Sequence, residues 1–356
     1  MPTAGTLFQL LVIGLTNGAV IALNAIAVTL IYGAVRIINL AHGDVFGLTT
    51  VVVASLVTAL GLQLGSPPLL LIGGLGATLA ITVLFGSTLN VVIERIAFRP
   101  FRSRSRLAPL VATLGLSFIL YQVALVWRYT EPNWLLGRPS HHGVPELPLN
   151  SIPEVLPTIN LLGWLGGNIS VTFKDLLVPA LAVGCALGVR WFVQNTRTGK
   201  AIRAVAQNVE LARIVGVNPD AIIRRTFALG GMLVGVAAFV FATYYTHPFT
   251  NAGAQSGLTA LAAAILGGVG NPLGALFSGL LLGVGAAFSD FFLAAQWTPV
   301  LMQALLIGLL LFRPTGIAAG ERAEDLMSNA DRDAVTPTPP GQRGRWNHWL
   351  VWGFVA

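Results

Sequence analysis

Charge and cysteine are both scarce in this sequence. Only 10% of its 356 residues are Asp, Glu, Lys or Arg, against about a quarter in an ordinary soluble domain. So few charges cannot cover the surface of a soluble enzyme. Cys185 is the only cysteine, which excludes an intrachain disulfide framework and zinc sites built on thiolates. Catalytic patterns are missing as well. Gly199-Lys200 is not a Walker A site, because Gln194 stands where its first glycine would be and Ala201 where Ser or Thr would hold magnesium. Gly115-Leu-Ser117-Phe-Ile119 lacks the second glycine of a nucleophile elbow. What is present is apolar. Hydrophobic residues make up 54% of the chain, which excludes disorder and leaves an integral membrane protein.

Uncharged apolar runs of about 20 residues mark membrane helices. They occur at Leu7–Gly33, Val45–Leu64, Leu69–Ile93, Leu107–Trp127, Leu176–Val189, Thr226–Tyr245, Gly257–Ser289 and Phe291–Phe312. The expected fold is all-α, a polytopic bundle of about 8–9 spans with one short or broken segment. Basic residues set its orientation. Arg95, Arg99, Arg102, Arg104 and Arg106 crowd 94–106, and Arg190, Arg197, Lys200, Arg203, Arg213, Arg224 and Arg225 crowd 190–225. These stretches are expected in the cytoplasm, loop 129–172 outside, and the N-terminus outside. The net charge of +7 then reflects topology rather than nucleic-acid binding.

A basic tail after Arg313 demands an odd number of crossings between 247 and 313. Gly267-Gly268-Val269-Gly270-Asn271-Pro272 can break the long run, since Gly clusters and Asn-Pro interrupt helices. The expectation is a short segment at 257–269 and a separate helix at 273–290. Two readings of the turn stand open. It is a break inside the protein near a pathway, or an ordinary hairpin. Glycines spaced four apart (14/18, 61/65, 231/235, 270/274, 279/283) suit close helix packing. The permease domain is expected to end near 319. A polar linker, 320–345, follows, then an apolar start at 346–356. That last piece is either an interfacial anchor or the opening of a second permease domain, and we favour the second.

Between the basic residues of 190–225 lies an amphipathic stretch, Thr198–Pro219. Thr198 is expected to cap it. Ile202, Val205, Val209 and Ala212 form one apolar stripe at helical spacing, and Gly216 with Pro219 ends it. Such a helix lies on the membrane surface, packs under the bundle, or docks on a partner.

This stretch resembles the cytoplasmic loop of LivH-type branched-chain amino-acid ABC permeases through Thr198-Gly199, Arg203 to Asn208 (RAVAQN), Ala212, Gly216 and Val217. Four further stretches agree in order. They are Ile38-Asn39-Leu40-Ala41-His42-Gly43-Asp44; Glu94-Arg95-Ile-Ala97-Phe98-Arg99-Pro100 with Arg106 to Leu110; Ala264 to Gly270 with Gly274-Ala275; and Leu311 to Gly316 (LFRPTG). The resemblance spans about 7–317. It implies the permease subunit of a binding-protein-dependent importer in the bacterial plasma membrane. Branched-chain or other hydrophobic amino acids would move inward by alternating access. Two ATPases would dock on the cytoplasmic side, an external binding protein would deliver solute, and a LivM-type permease, fused or separate, would complete the pathway. No cofactor is expected on the chain itself, and ATP would be used in trans. Gly199, Arg203, Val205, Gln207, Asn208, Val209, Ala212 and Gly216 would form the ATPase-coupling helix.

The resemblance is incomplete at the first span. The family's G-x-x-x-G-S-x-Y-A-L reads Gly14 to Leu23 here with Ala19 and Ile21 in place of Ser and Tyr. Asn17 and Asn24 are added on one helix face, either bonding helix to helix or lining a pathway. Asn39, His42, Asp44, Gly267, Gly268 and Gly270 are the other pathway or gate candidates. For His42 and Asp44 the competing role is simple capping of the second span. The alternatives to amino-acid import are a related permease for urea or short amides, and an ion-coupled secondary transporter. The latter needs buried acidic residues as ion ligands, and the mid-span regions hold no Asp or Glu.

Overall fold

A computed structural model describes residues 4–101, 107–130, 154–157, 160–161, 170–245 and 252–312. Within them the chain forms eleven α-helices. They are α1 (Ala4–Val35), α2 (His42–Ala59), α3 (Pro68–Ile93), α4 (Leu107–Thr130), α5 (Phe173–Asn195), α6 (Arg197–Gln207), α7 (Val209–Ile214), α8 (Pro219–Tyr245), α9 (Ala252–Leu266), α10 (Pro272–Phe292) and α11 (Thr298–Phe312). Seven of these (α1–α5, α8 and α10) are long and apolar enough to cross a membrane, and α9 is a shorter apolar helix. No strand occurs among the described residues. The expected class, an all-α polytopic bundle, is what the chain adopts.

Asparagine before proline starts two helices. Asn218 Oδ1 accepts from the Asp220 and Ala221 amides at 3.1 and 3.3 Å, and α8 opens on Pro219. Asn271 Oδ1 accepts from the Leu273 and Gly274 amides at 3.1 and 3.2 Å, and α10 opens on Pro272. The asparagine satisfies two orphan amides, and proline at the first helical position has no amide to leave unpaired. The long run Gly257–Ser289 is therefore broken at 267–271, as expected, although α9 begins at Ala252 rather than 257. Asn271→Ala removes both bonds. It is expected to lower the free energy of unfolding by about 1 kcal/mol, measurable as a lower thermal midpoint of the purified protein.

At the centre α1 packs against α10, α8, α9 and α5, while α3 packs against α8. The α1–α10 seam uses two of the spaced glycine pairs. A Cβ on Gly14 would stand 2.7 Å from Val284 Cα, one on Gly18 2.7 Å from Leu280 Cα, and one on Gly279 2.6 Å from Ala22 Cα. Gly231 and Gly235 sit equally close to the α3 backbone at Gly86 and Val83. Backbones approach this closely only where side chains are missing. Gly61 and Gly65 do not join in: they lie in the α2–α3 connection with nothing against them. The outer faces of α3, α4 and α5 carry exposed Leu84, Phe118 and Leu187, as a lipid-facing surface would.

Loop 94–106 is not all loop. Helix α3 runs on through a wider π turn (Glu94–Phe98) and a tighter one (Arg99–Phe101), with Phe98 packed edge-on against Phe227 of α8 at 4.9 Å. The basic residues Arg102, Arg104 and Arg106, the LFRPTG close beyond Phe312, and the expected linker and apolar end at 320–356 lie outside the described residues.

Candidate functional site

Two places hold the residues singled out above. The first is the α1–α2 connection. Asn24 sits about three turns, roughly 16 Å along the axis, before the end of α1 at Val35, yet it touches His42, the first residue of α2. The chain therefore leaves α1 and doubles back beside its last turns before α2 begins. The backbone between them is not helical: Arg36 takes a left-handed φ of 57° and 37–41 is irregular. Irregular backbone at such depth persists only where protein or a water-filled cavity satisfies it.

Polar side chains do much of that here. His42 Nε2 lies 2.9 Å from Asn24 Oδ1, and Asn24 Nδ2 donates to Ser256 Oγ of α9 at 3.0 Å. Asn24 is completely buried and His42 is 3% exposed. Asn39 Oδ1 accepts from the Ala41 amide at 3.2 Å, and the Leu40 amide donates to Thr113 Oγ1 of α4 at 3.4 Å. The Ser117 hydroxyl donates to the buried Asp44 carboxylate. Gly43 lets α2 lie against α9, since its Cβ would stand 2.8 Å from Gly257 Cα. These bonds join α1, α2, α4 and α9 around one turn, partly buried along 37–40 and fully buried from Ala41 on.

Asn24 thus bonds helix to helix, and so does Asn17, whose Oδ1 accepts from Tyr245 of α8 at 2.5 Å. The neighbouring Tyr244 hydroxyl donates to Asp175 Oδ1 of α5 at 2.8 Å. Asp44 lies in the first turn of α2 and is buried, so the middles of the spans hold no Asp or Glu, as expected. Gly267 and Gly268 are buried, while Gly270 is exposed and packs near Gly33 at the end of α1. The glycine turn is therefore at the other end of α9 from the Asn24 node, and only part of it is interior.

The second place is the connection between α5 and α8. It is two helices, not one. Asn208 leaves the helical region (φ −155°, ψ 116°), and its Oδ1 accepts from the Glu210 and Leu211 amides at 2.9 and 3.0 Å, starting α7. The cap of α6 is Thr196, which accepts from the Gly199 amide at 3.0 Å, so Thr198 is not the cap. Gly199 is buried where α6 crosses the end of α5, with 2.6 Å between an added Cβ and Val193 Cα. Ile202, Val205 and Ala212 are buried, and α6 packs against α5, α8 and α1. Val209 falls off the expected stripe and is 39% exposed, because the break at Asn208 resets the helical register. Arg203 lies half-buried, donating to the Gln194 carbonyl at 3.3 Å. Gln207 and Asn208 are exposed, and Gly216 turns the chain at φ 85°.

Apolar residues missed above stand out on α7 and at its C-terminal cap, Val215. Leu211, Ile214 and Val215 are 60%, 79% and 74% exposed. A single uninterrupted helix would have spread them around its polar side. The signal for the true register was Asn208 two residues before Glu210, the pattern of a helix start.

A bundle of seven long apolar helices, with a polar turn tied between α1 and α2 and an amphipathic segment between two spans, is the architecture of a multi-pass membrane transport subunit. The chain belongs to the family described as the permease component of branched-chain amino acid transport systems, whose profile matches residues 10–312. It is 32% identical over 326 residues to the high-affinity branched-chain amino acid transport permease BraD of Pseudomonas aeruginosa, covering 91% of this chain and 99% of that one. It is 30% identical over 319 residues to the permease LivH of Escherichia coli K12, covering 87% and 95%. The autoinducer 2 import permease LsrC of Yersinia pseudotuberculosis is 29% identical over 214 residues, covering 58% of this chain and 54% of that one. As a permease component the chain is a transport subunit and not an enzyme.

Proposed function

We propose that this chain carries branched-chain or other hydrophobic amino acids inward through a bacterial plasma membrane, driven by ATPase subunits docked on α6 and α7. The observation that carries the docking surface is the exposed apolar trio Leu211, Ile214 and Val215, set in a stretch rich in Lys and Arg. A positively charged connection of this kind is retained in the cytoplasm, where lipid does not cover it. Gly199, Arg203 and Val205 hold α6 against the bundle and the buried Ala212 holds α7, while Gln207, Asn208, Val209 and the apolar trio are exposed. A force on α7 is thereby passed to α5 and α8 through packed side chains. ATP would be hydrolysed in trans, with no cofactor on this chain, and an external binding protein would supply the solute. A second permease of related sequence would complete the pathway.

Relative positions support the same topology. The turn at 267–271 lies at the α1 end near Gly33, and Gln9 near the start of α1 binds Ser170 before α5 at 3.0 Å. With 190–225 inside, the start of α1 is outside and α9 returns the chain to the cytoplasmic side.

The test is uptake by proteoliposomes holding the permease, its ATPases and loaded binding protein. Leucine, isoleucine or valine should accumulate with internal ATP and not with a proton or sodium gradient alone. Uptake without any ATPase would overturn the reading. Urea or a short amide competing better than leucine would move the solute assignment to that class.

A further inference from the structure

Two polar atoms in the doubled-back turn have no hydrogen-bond partner among the described residues, though both are buried. They are His42 Nδ1 and Asn39 Nδ2. Their chemistry is opposite. Asn24 donates its amide nitrogen to Ser256, so its oxygen accepts from His42 Nε2. The neutral ring then presents Nδ1 as a bare acceptor. Asn39 spends its oxygen on the Ala41 amide, which leaves its NH₂ as a bare donor. A buried group without a partner is costly, and cells of the interior that keep one are places where a ligand or water completes the set.

One donor and one acceptor three residues apart complement the head of an α-amino acid, whose carboxylate accepts and whose ammonium donates. Resting on the amino-acid reading above, we propose that the 39–42 turn is the station inside the span that holds this head during transport. Asn39 Nδ2 donates to the carboxylate, and His42 Nδ1 accepts from the ammonium. The position suits the task. The turn lies where the backbone is broken between α1 and α2, partly buried along 37–40 and closed off at Ala41 and His42, and transporters bind solute at breaks of this kind. Helices α1, α2, α4 and α9 all tie to it, so occupancy is felt by four elements at once. The side chain of the solute need not be read here. That leaves the head as the shared feature, as a carrier of several hydrophobic amino acids requires.

Two near-isosteric substitutions separate this role from a structural one. His42→Gln keeps a donor where Nε2 bonds Asn24 and deletes the Nδ1 acceptor. Asn39→Asp keeps the oxygen that caps Ala41 and turns the donor into a second acceptor that repels a carboxylate. Each is assembled with the ATPases and assayed in proteoliposomes with leucine-loaded binding protein, reading leucine moved per ATP hydrolysed. The expected result is an intact complex whose ATPase rate stays near wild type while leucine per ATP falls about tenfold or more, the factor for losing one hydrogen bond to a charged group. Wild-type leucine per ATP in either variant overturns the proposal. So does failure of both variants to assemble, which would make the turn a scaffold only. If wild type itself fails to move leucine with ATP, it is the amino-acid import reading that has failed.

Discussion

The double substitution Leu211→Asp and Ile214→Asp is expected to abolish ATP-driven uptake while the bundle stays folded. Both residues are mostly exposed, at 60% and 79%, so neither contributes much to the packing of this chain. Fully burying one such side chain at an interface is worth about 1.5–3 kcal/mol. Replacing two with carboxylates loses that gain and adds the cost of desolvating two charges. The ATPases should no longer copurify, and uptake should fall to background. Far-ultraviolet circular dichroism and the size-exclusion profile of the permease should be unchanged. Copurification at wild-type levels would remove α7 from the docking surface. Val205→Asp makes the contrast. Val205 is 2% exposed, so a carboxylate there strikes the packing of α6 itself, and loss of folded protein is the expected result. The family resemblance placed both Val205 and Val209 on the docking helix; of the two only Val209, the first residue of α7, is exposed.

The second large effect belongs to the α1–α10 seam. Gly18→Leu should leave little folded protein in the membrane. A Cβ at Gly18 would already meet Leu280 Cα at 2.7 Å, and Leu adds three more carbons behind it. The obstacle is backbone, so relief requires the two helices to separate. Overpacking costs about 1–3 kcal/mol where side chains can shift, and a seam that must open should exceed it. Gly184→Ala on α5 is the matched control. Nothing stands within 4 Å of a Cβ there, and exchanging Gly for Ala inside a helix favours folding by about 1 kcal/mol. Thermal unfolding in detergent should separate the two, with Gly18→Leu lost or low and Gly184→Ala at or above wild type.

The legible parts of the fold are those in which each residue's cost is set locally. An apolar run with no charge has one low-energy home, a helix in lipid, so the long spans could be placed from composition. The break at 267–271 was readable for the same reason, since Gly and Asn-Pro act on their own backbone. The start of α7 was also local, but Asn208 was passed over because the apolar spacing continued plausibly through it. What spacing could not show was partnership. Asn24 and Ser256 stand far apart in the chain, and nothing in either neighbourhood announces the other. The same holds for Tyr245 with Asn17 and for Gly18 with Leu280.

By itself the sequence determined that this is an all-α membrane bundle, where its charges cluster, and which family motifs it carries. Those follow from transfer energies and backbone preferences paid residue by residue. Only the tertiary structure decided that the chain doubles back after Val35 and places Asn39, His42 and Asp44 within the bundle. It alone decided that α7, and not the stripe on α6, presents the free apolar surface. Both outcomes depend on which helices pack together. That choice is made by shape, where glycine faces let backbones touch, and by pairing of buried polar groups that no local pattern encodes.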